Sequence, residues 1–192
     1  KDFAPTQDLK DYHVSVARGG VGMTTLAYAS INRSGVSFNS QLWLRDEIVP
    51  QLKDITDAVH AEGAAVGIQI GHCGNMTHWS TAGSFPVSAS NGFNLYSPTF
   101  HRRMTHDEIR QTAKDFGKAV HLAHEAGFDS VEVHAGHGYL ISQFLSPWTN
   151  RRRDEYGGSL ENRMRFMKMC LAEVMEAAAQ CNMAVLVKHN ME

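Results

Sequence analysis

The chain has 192 residues, of which 43% are hydrophobic and 20% charged, and its formal net charge is −2. This length suffices for one sizeable core and is too short for two ordinary domains. The near-neutral charge gives no indication of a nucleic-acid partner. No apolar run is long enough to span a bilayer, and no signal-peptide pattern is present, so no membrane association is predicted. The three cysteines are far apart and lack a Cys-x-x-Cys motif, which favours a reduced, cytoplasmic compartment.

Helical and strand-like patterns alternate along the chain. In chain order we predict a helix over 9–18, a strand over 22–29, a helix over 46–62, a strand over 64–71, a helix from the capping box at 105–108 to 127, a strand over 130–136, a helix over 159–179 and a strand over 185–189. The long stretch 72–101 has no period, which is typical of a functional loop or an embedded subregion. The alternation predicts an α/β fold with a parallel sheet, and by itself leaves both a barrel and an open doubly wound sheet possible.

The two ends of the sequence look interrupted. The chain begins at Lys1 without an initiator methionine and stops at Glu192, directly after the strand-like run 184–188. A parallel strand needs cover on both faces. We therefore expect residues 1–192 to be a single partial domain, truncated at both ends, of a longer protein.

Polar residues stand near the carboxyl ends of three predicted strands. By strand parity, Gln69, His134 and Lys188 lie on the faces opposite the aliphatic rows. Each alone could be an ordinary structural residue, and Glu132 is interpreted as a buried partner of a nearby base. Because burying three such groups without partners is costly, their joint occurrence indicates a shared polar ligand at a barrel mouth.

The segment that follows the third of these strands adds the groups needed for chemistry. His134 and His137 could donate two hydrogen bonds to one carbonyl or nitro oxygen, which would make the conjugated β-carbon a hydride acceptor. Tyr139, with an ordinary pKa of about 10, is suited to give a proton to carbon. An ammonium from Lys188 and an amide from Gln69 would suit the pyrimidine edge of a flavin.

Five segments of the chain together form a recognisable set of motifs: His134–Leu140, Gln143–Pro147, Asn150–Arg152, Asp154–Arg163 and Gln69–Gly74. In these segments the chain resembles the Old Yellow Enzyme family of NAD(P)H:flavin oxidoreductases, which includes ene-reductases and 2,4-dienoyl-CoA reductases. The resemblance implies a (β/α)8 TIM barrel that holds FMN at its mouth, of which this chain covers roughly helix 1 to strand 5.

The resemblance also implies roles for individual residues. His134 and His137 would bind the activating oxygen of the substrate, and Tyr139 would donate the proton. Gln69 would contact the flavin, while Tyr28, or Ala27 if the register shifts by one, falls where a backbone group meets it. Lys188 stands where the family usually has arginine, which keeps the charge but loses the planar fork. Three further residues, Arg152, Asp154 and Tyr156, are expected to order the loop rather than to react.

The implied reaction is reduction of activated C=C bonds (enone, enal or dienoyl type) in a small-molecule substrate, with NADPH or NADH as reductant. An iron–sulfur cluster is possible only downstream of this chain, and a homo-oligomer is possible. Two alternatives stay open. One is a metal-dependent hydrolase on a TIM barrel, with His72, His134 and His137 as ligands. The other is a non-catalytic half-barrel fragment with an exposed sheet edge.

Overall fold

The computed structural model describes residues 2–190, so the predicted domain ends, Lys1 and Glu192, lie outside the described residues. The helices and strands in chain order are α1 (Gln7–Arg18), β1 (Met23–Ser30), β2 (Leu42–Trp43), α2 (Val49–Ala61), β3 (Ala65–Gly71), α3 (Trp79–Ala82), β4 (Val87–Ser88), β5 (Gly92–Asn94), β6 (Thr99–Arg103), α4 (His106–Glu125), β7 (Ser130–His134), α5 (Leu140–Leu145), α6 (Leu160–Cys181) and β8 (Ala184–Lys188). Within residues 2–190, no helix is both long and apolar enough to cross a membrane.

The main sheet has five parallel strands in the order β2-β1-β3-β7-β8. Its central strands are aliphatic and fully buried at positions such as Leu26, Ile68 and Val131, where they pack against the helices in one continuous core. Gln69 pairs with Glu132 and His134 pairs with Lys188 across the sheet. The carboxyl ends of β3, β7 and β8 therefore meet along one edge, as the sequence predicts.

The helix ends follow local capping chemistry. Thr105 and Glu108 form the predicted capping box at the start of α4, and Ser159 caps α6. The predicted helix over 46–62 is wrong at its start, because residues 46–48 form a 3-10 turn and α2 begins at Val49. Pro50 lies in the first turn of α2, where its missing N–H group needs no partner.

The stretch 72–101 contains structure that lacks a periodic sequence signal. It holds the short helix α3 and contributes β4, β5 and the start of β6 to a separate three-stranded sheet of order β4-β6-β5. This confirms the expectation of an embedded subregion; we call residues 72–103 the insertion. The insertion follows β3 in the chain and is followed by α4.

Candidate active site

Four aromatic and imidazole rings meet at the carboxyl end of the main sheet. The His134 ring lies 4.9 Å from both the His137 ring and the Tyr139 ring, measured between centroids. The Tyr28 ring lies 5.3 Å from Tyr139 and 5.9 Å from His134. Three of these residues come from β7 and the turn after it, and the fourth comes from β1.

The turn after β7 explains why residues so close in sequence converge. His137 and Gly138 have positive φ angles of 57° and 73°, so the chain reverses sharply, and the Tyr139 N–H donates to the Gly136 carbonyl at 3.1 Å. Glycine adopts such a conformation without steric cost. The reversal brings His137 and Tyr139 back to the end of β7, where His134 lies.

His134 combines burial with an unpaired atom. The side chain is buried, and its Nδ1 has no hydrogen-bond partner among the described residues. Burial, followed by the charges of His137 and Lys188, lowers the pKa of His134 to about 4, so the ring is neutral at pH 7. Leaving a buried polar atom without a hydrogen bond costs about 1–3 kcal/mol of folding free energy. An unpaired atom at this sheet edge therefore points to a ligand that supplies the missing hydrogen bond.

Tyr139 has a polar neighbour that the sequence analysis missed. Its hydroxyl lies 3.4 Å from Ser37 Oγ, and that serine donates its own hydroxyl proton to Gln41 Oε1 at 2.8 Å. The Ser37 oxygen is therefore left facing Tyr139 as an acceptor. Ser37 and Gln41 lie in an irregular stretch between β1 and β2, where no periodicity could have identified them.

The ring of Tyr28 is the part of this residue that lies beside His134 and Tyr139. Its hydroxyl donates to the Gly35 carbonyl at 2.9 Å, and a Cβ added at Gly71 would lie 2.6 Å from the ring. The register between β1 and β3 shifts between Leu26 and Ala29, which is where the sequence analysis left Ala27 and Tyr28 as alternatives. The backbone contact expected of Tyr28 stays a prediction.

Gln69 and Lys188 lie at neighbouring strand ends. Gln69 is buried, and its Nε2 donates to Glu132 Oε1 at 2.5 Å. Glu132 is half-buried, and this hydrogen bond comes from an amide and not from the expected base. Lys188 is exposed, and its carbonyl accepts from Ala135 N–H at 2.8 Å. An amide and an ammonium at these strand ends form a pair of donors that fits the pyrimidine edge of FMN.

His72 does not join the two other histidines expected for a metal site. It is buried, its Nδ1 accepts from Gly74 N–H at 2.9 Å, and its Nε2 lies 3.1 Å from Ser34 Oγ. Burial lowers its pKa to about 4. Residues 2–190 contain no group of three or more His, Cys, Asp or Glu side chains placed to hold a metal ion. The hydrolase alternative therefore lacks its ligand set.

The segment after α5 is ordered by the expected residues. The Arg152 guanidinium, 2% exposed, donates to the carbonyls of Ala89 and Met104 and to Asp154. Burial alone would raise the pKa of Asp154, but hydrogen bonds from Arg152 and His106 hold it well below its usual range. Arg152 thereby joins the insertion to the chain that leads into α6.

Comparisons with known proteins agree with this geometry. Residues 1–189 match the NADH:flavin oxidoreductase / NADH oxidase family. The chain is 37% identical over 188 residues to a 4,4'-dithiodibutanoate disulfide reductase of Rhodococcus erythropolis, covering 98% of this chain and 46% of that protein. It is 38% identical over 178 residues to an NADPH dehydrogenase of Listeria welshimeri, covering 92% of this chain and 52% of that protein.

A solved structure extends the match to three dimensions. The Old Yellow Enzyme homologue of Zymomonas mobilis is 31% identical and superimposes with a TM-score of 0.88, covering 97% of this chain and 55% of that one. The predicted α/β barrel class is thereby confirmed, for a chain that spans about half the length of these relatives. The chain belongs to the NADH:flavin oxidoreductase / NADH oxidase family, which includes the Old Yellow Enzymes.

Proposed function

We propose that this chain provides the substrate-activating part of an FMN-dependent oxidoreductase that reduces activated C=C bonds of enones, enals or dienoyl compounds. The observation that carries the proposal is the buried, unpaired Nδ1 of His134, whose ring lies 4.9 Å from the His137 ring and 4.9 Å from the Tyr139 ring. This places two imidazoles and a phenol around one small volume. When bound, FMN would accept hydride from NADPH or NADH and deliver it to the alkene.

The two histidines are proposed to bind the oxygen that activates the alkene. His134 is neutral at pH 7 and offers one N–H group from a buried position, while His137 is exposed beside it. Two donors on one carbonyl oxygen stabilise the negative charge that develops there as the β-carbon is reduced. Burial strengthens this interaction because little water competes for the oxygen.

Tyr139 is proposed to donate the proton that completes the reduction at the α-carbon. Tyr139 is half-buried, its ring lies 4.9 Å from the His134 ring, and its hydroxyl lies 3.4 Å from Ser37 Oγ. The hydroxyl of a phenol can give its proton to a carbanion-like carbon. Gln69 and Lys188 are proposed to hold the pyrimidine edge of FMN, with Tyr28 at its border.

The test is visible absorption spectroscopy of the purified protein. We expect a flavin spectrum that bleaches with NADPH or NADH under anaerobic conditions and recovers when an enone is added. A protein that is colourless and does not take up added FMN would contradict the proposal, and metal analysis would then examine the hydrolase alternative. The disulfide named for the Rhodococcus relative is a useful second oxidant, since recovery with it alone would change the substrate class.

Four further expectations stay predictions. They are a single partial domain over 1–192, a cytoplasmic location, the possibility of a homo-oligomer, and an iron–sulfur cluster that is possible only downstream of this chain. The location rests on cysteine usage, and none of Cys73, Cys170 and Cys181 forms a disulfide.

A further inference from the structure

One buried amide outside the ring cluster contacts the chain on both sides of Tyr139. Gln143 lies on α5 and is 2% exposed. Its Nε2 donates to the carbonyl of Gly138 at 2.7 Å, to Asn75 Oδ1 at 2.9 Å and to the carbonyl of Cys73 at 3.1 Å. Its Oε1 accepts from Asn75 N–H at 3.3 Å. One side chain therefore joins the start of the insertion to the residue that precedes Tyr139.

Two backbone hydrogen bonds, one within α5 and one to the start of the insertion, also fix the chain at Tyr139 and Leu140. The Gln143 N–H donates to the Tyr139 carbonyl at 2.8 Å, and the Leu140 N–H donates to the His72 carbonyl at 2.9 Å. Gly138, with φ at 73°, is the position in this turn with the greatest conformational freedom. Its carbonyl is the one that the Gln143 side chain holds most closely.

We propose that Gln143 is a positioning residue that fixes the Tyr139 hydroxyl beside His134, and this rests on the proposed function of Tyr139. The chemistry calls for an amide, because Gln143 supplies two N–H donors to three oxygens and one acceptor to a backbone N–H. A carboxylate at this position would repel the same three oxygens, and an apolar side chain would leave them without donors. Gln143 touches neither substrate nor flavin in this proposal.

The experiment compares Gln143→Leu with wild type in two measurements. Hydrogen exchange at the amides of residues 138–140 should become faster, because the turn loses its anchor. Reoxidation of the reduced flavin by an enone should slow by about 100-fold, the order expected for a misplacement of about 1 Å. Reduction of the flavin by NADPH should change by less than about 2-fold, since Tyr139 is proposed to act in the other half-reaction.

The same substitution in a Tyr139→Phe protein separates positioning of Tyr139 from general damage to the fold. Added to Tyr139→Phe, the Gln143→Leu change should slow reoxidation by less than about 3-fold further, because both substitutions remove the same contribution. If Gln143→Leu does not fold, Gln143→Glu is nearly isosteric and replaces the N–H donors with a carboxylate oxygen that repels the same three oxygens, so it should give the same two effects. Asn150→Leu is the matched control: Asn150 is a buried amide that donates to the carbonyls of Phe144 and Tyr156, both at 2.7 Å, on the far side of α5.

The outcomes distinguish this inference from the proposed function. Unchanged exchange at residues 138–140, an equal loss in the Tyr139→Phe background, or the same losses in Asn150→Leu would each overturn the role of Gln143. A Tyr139→Phe variant that is reoxidised at the wild-type rate would instead contradict the proposed proton donor. Faster exchange in Gln143→Leu, together with a loss confined to reoxidation, would support the inference.

Discussion

At the scale of single residues, the protonation state of His134 decides what the site can bind. Its pKa of about 4 leaves one N–H donor and one free lone pair at neutral pH. A neutral ring suits a carbonyl or phenolate oxygen, because it donates a hydrogen bond without adding a full positive charge beside Lys188. In the proposed function, the exposed His137 supplies the second donor.

His134→Ala should weaken binding of a phenol to the oxidised flavoprotein by about 10–100-fold, the range expected for one hydrogen bond to a charged oxygen. The measurement is titration of the visible spectrum with a substituted phenol. His78→Ala, on an exposed histidine of the insertion, serves as the control and should leave the affinity unchanged. Equal affinity in all three proteins would remove His134 from the oxygen site.

Tyr139→Phe should slow reoxidation of the reduced flavin by an enone by about 10²–10⁴-fold, since the proton donor is lost. Reduction of the flavin by NADPH should stay close to the wild-type rate. Stopped-flow absorbance measures the two half-reactions separately. Equal losses in both would mean that Tyr139 acts on flavin binding or on the fold instead.

At the scale of elements, the segment between α5 and α6 depends on one buried cation. Arg152→Met should lower the free energy of unfolding by roughly 2–4 kcal/mol, because the carbonyls of Ala89 and Met104 lose their donor and Asp154 loses its partner. Urea unfolding checks this. Arg110→Met, at an exposed pair with Asp107, is the control and should change stability by less than about 0.5 kcal/mol. Similar losses in both variants would contradict the structural role.

The elements that the sequence predicts well are those with a clear period and a cap. Helix α4 has both, from its Thr105 cap to its buried stripe, and the strand alternation at 131–134 places Glu132 and His134 correctly. The strands of the insertion escape prediction because they are only two to five residues long, too short to show a period. At the site, His134, His137 and Tyr139 are adjacent in sequence and so are predictable as a group.

The residues that were missed depend on contacts between distant segments. Ser37 approaches Tyr139 across more than a hundred residues of chain. Gln143 falls inside a recognised motif, but its role depends on Cys73 and Asn75, which the irregular start of the insertion brings to it. Tyr28 was predicted only to within one residue, because it lies in a break in strand register that no alternation pattern encodes.

At the scale of the whole molecule, stability should depend on pH through buried histidine. The pKa of His72 is about 4 in the folded state against 6.5 ordinarily, so the folded state binds fewer protons between these values. Its contribution is fully present above pH 6.5 and is lost as the pH falls towards 4. Between pH 7 and 5, wild type should lose roughly 1–2 kcal/mol more unfolding free energy than His72→Asn, as measured by urea titration. Parallel pH dependences would contradict this.

A second prediction at this scale concerns β8, one of the two edge strands of the main sheet among the described residues. Among the described residues β8 pairs only with β7, and its Leu186 and Val187 are 42% and 39% exposed. Because unpaired apolar edges recruit other chains, the 192-residue chain by itself should self-associate, and Leu186→Lys should reduce this. Sedimentation velocity measures it, with Leu95→Lys, a change at an exposed leucine of the insertion, as control. A monomeric wild-type chain would show that the edge is protected.

The route of the insertion has a consequence for how such a protein can diversify. Strands β3 and β7 pair directly from Gly67 to Ile70, although the insertion separates them along the chain. The register that places Gln69 and His134 therefore does not depend on the length of the insertion. A change in that length can be accepted without shifting the two strand ends that carry these side chains.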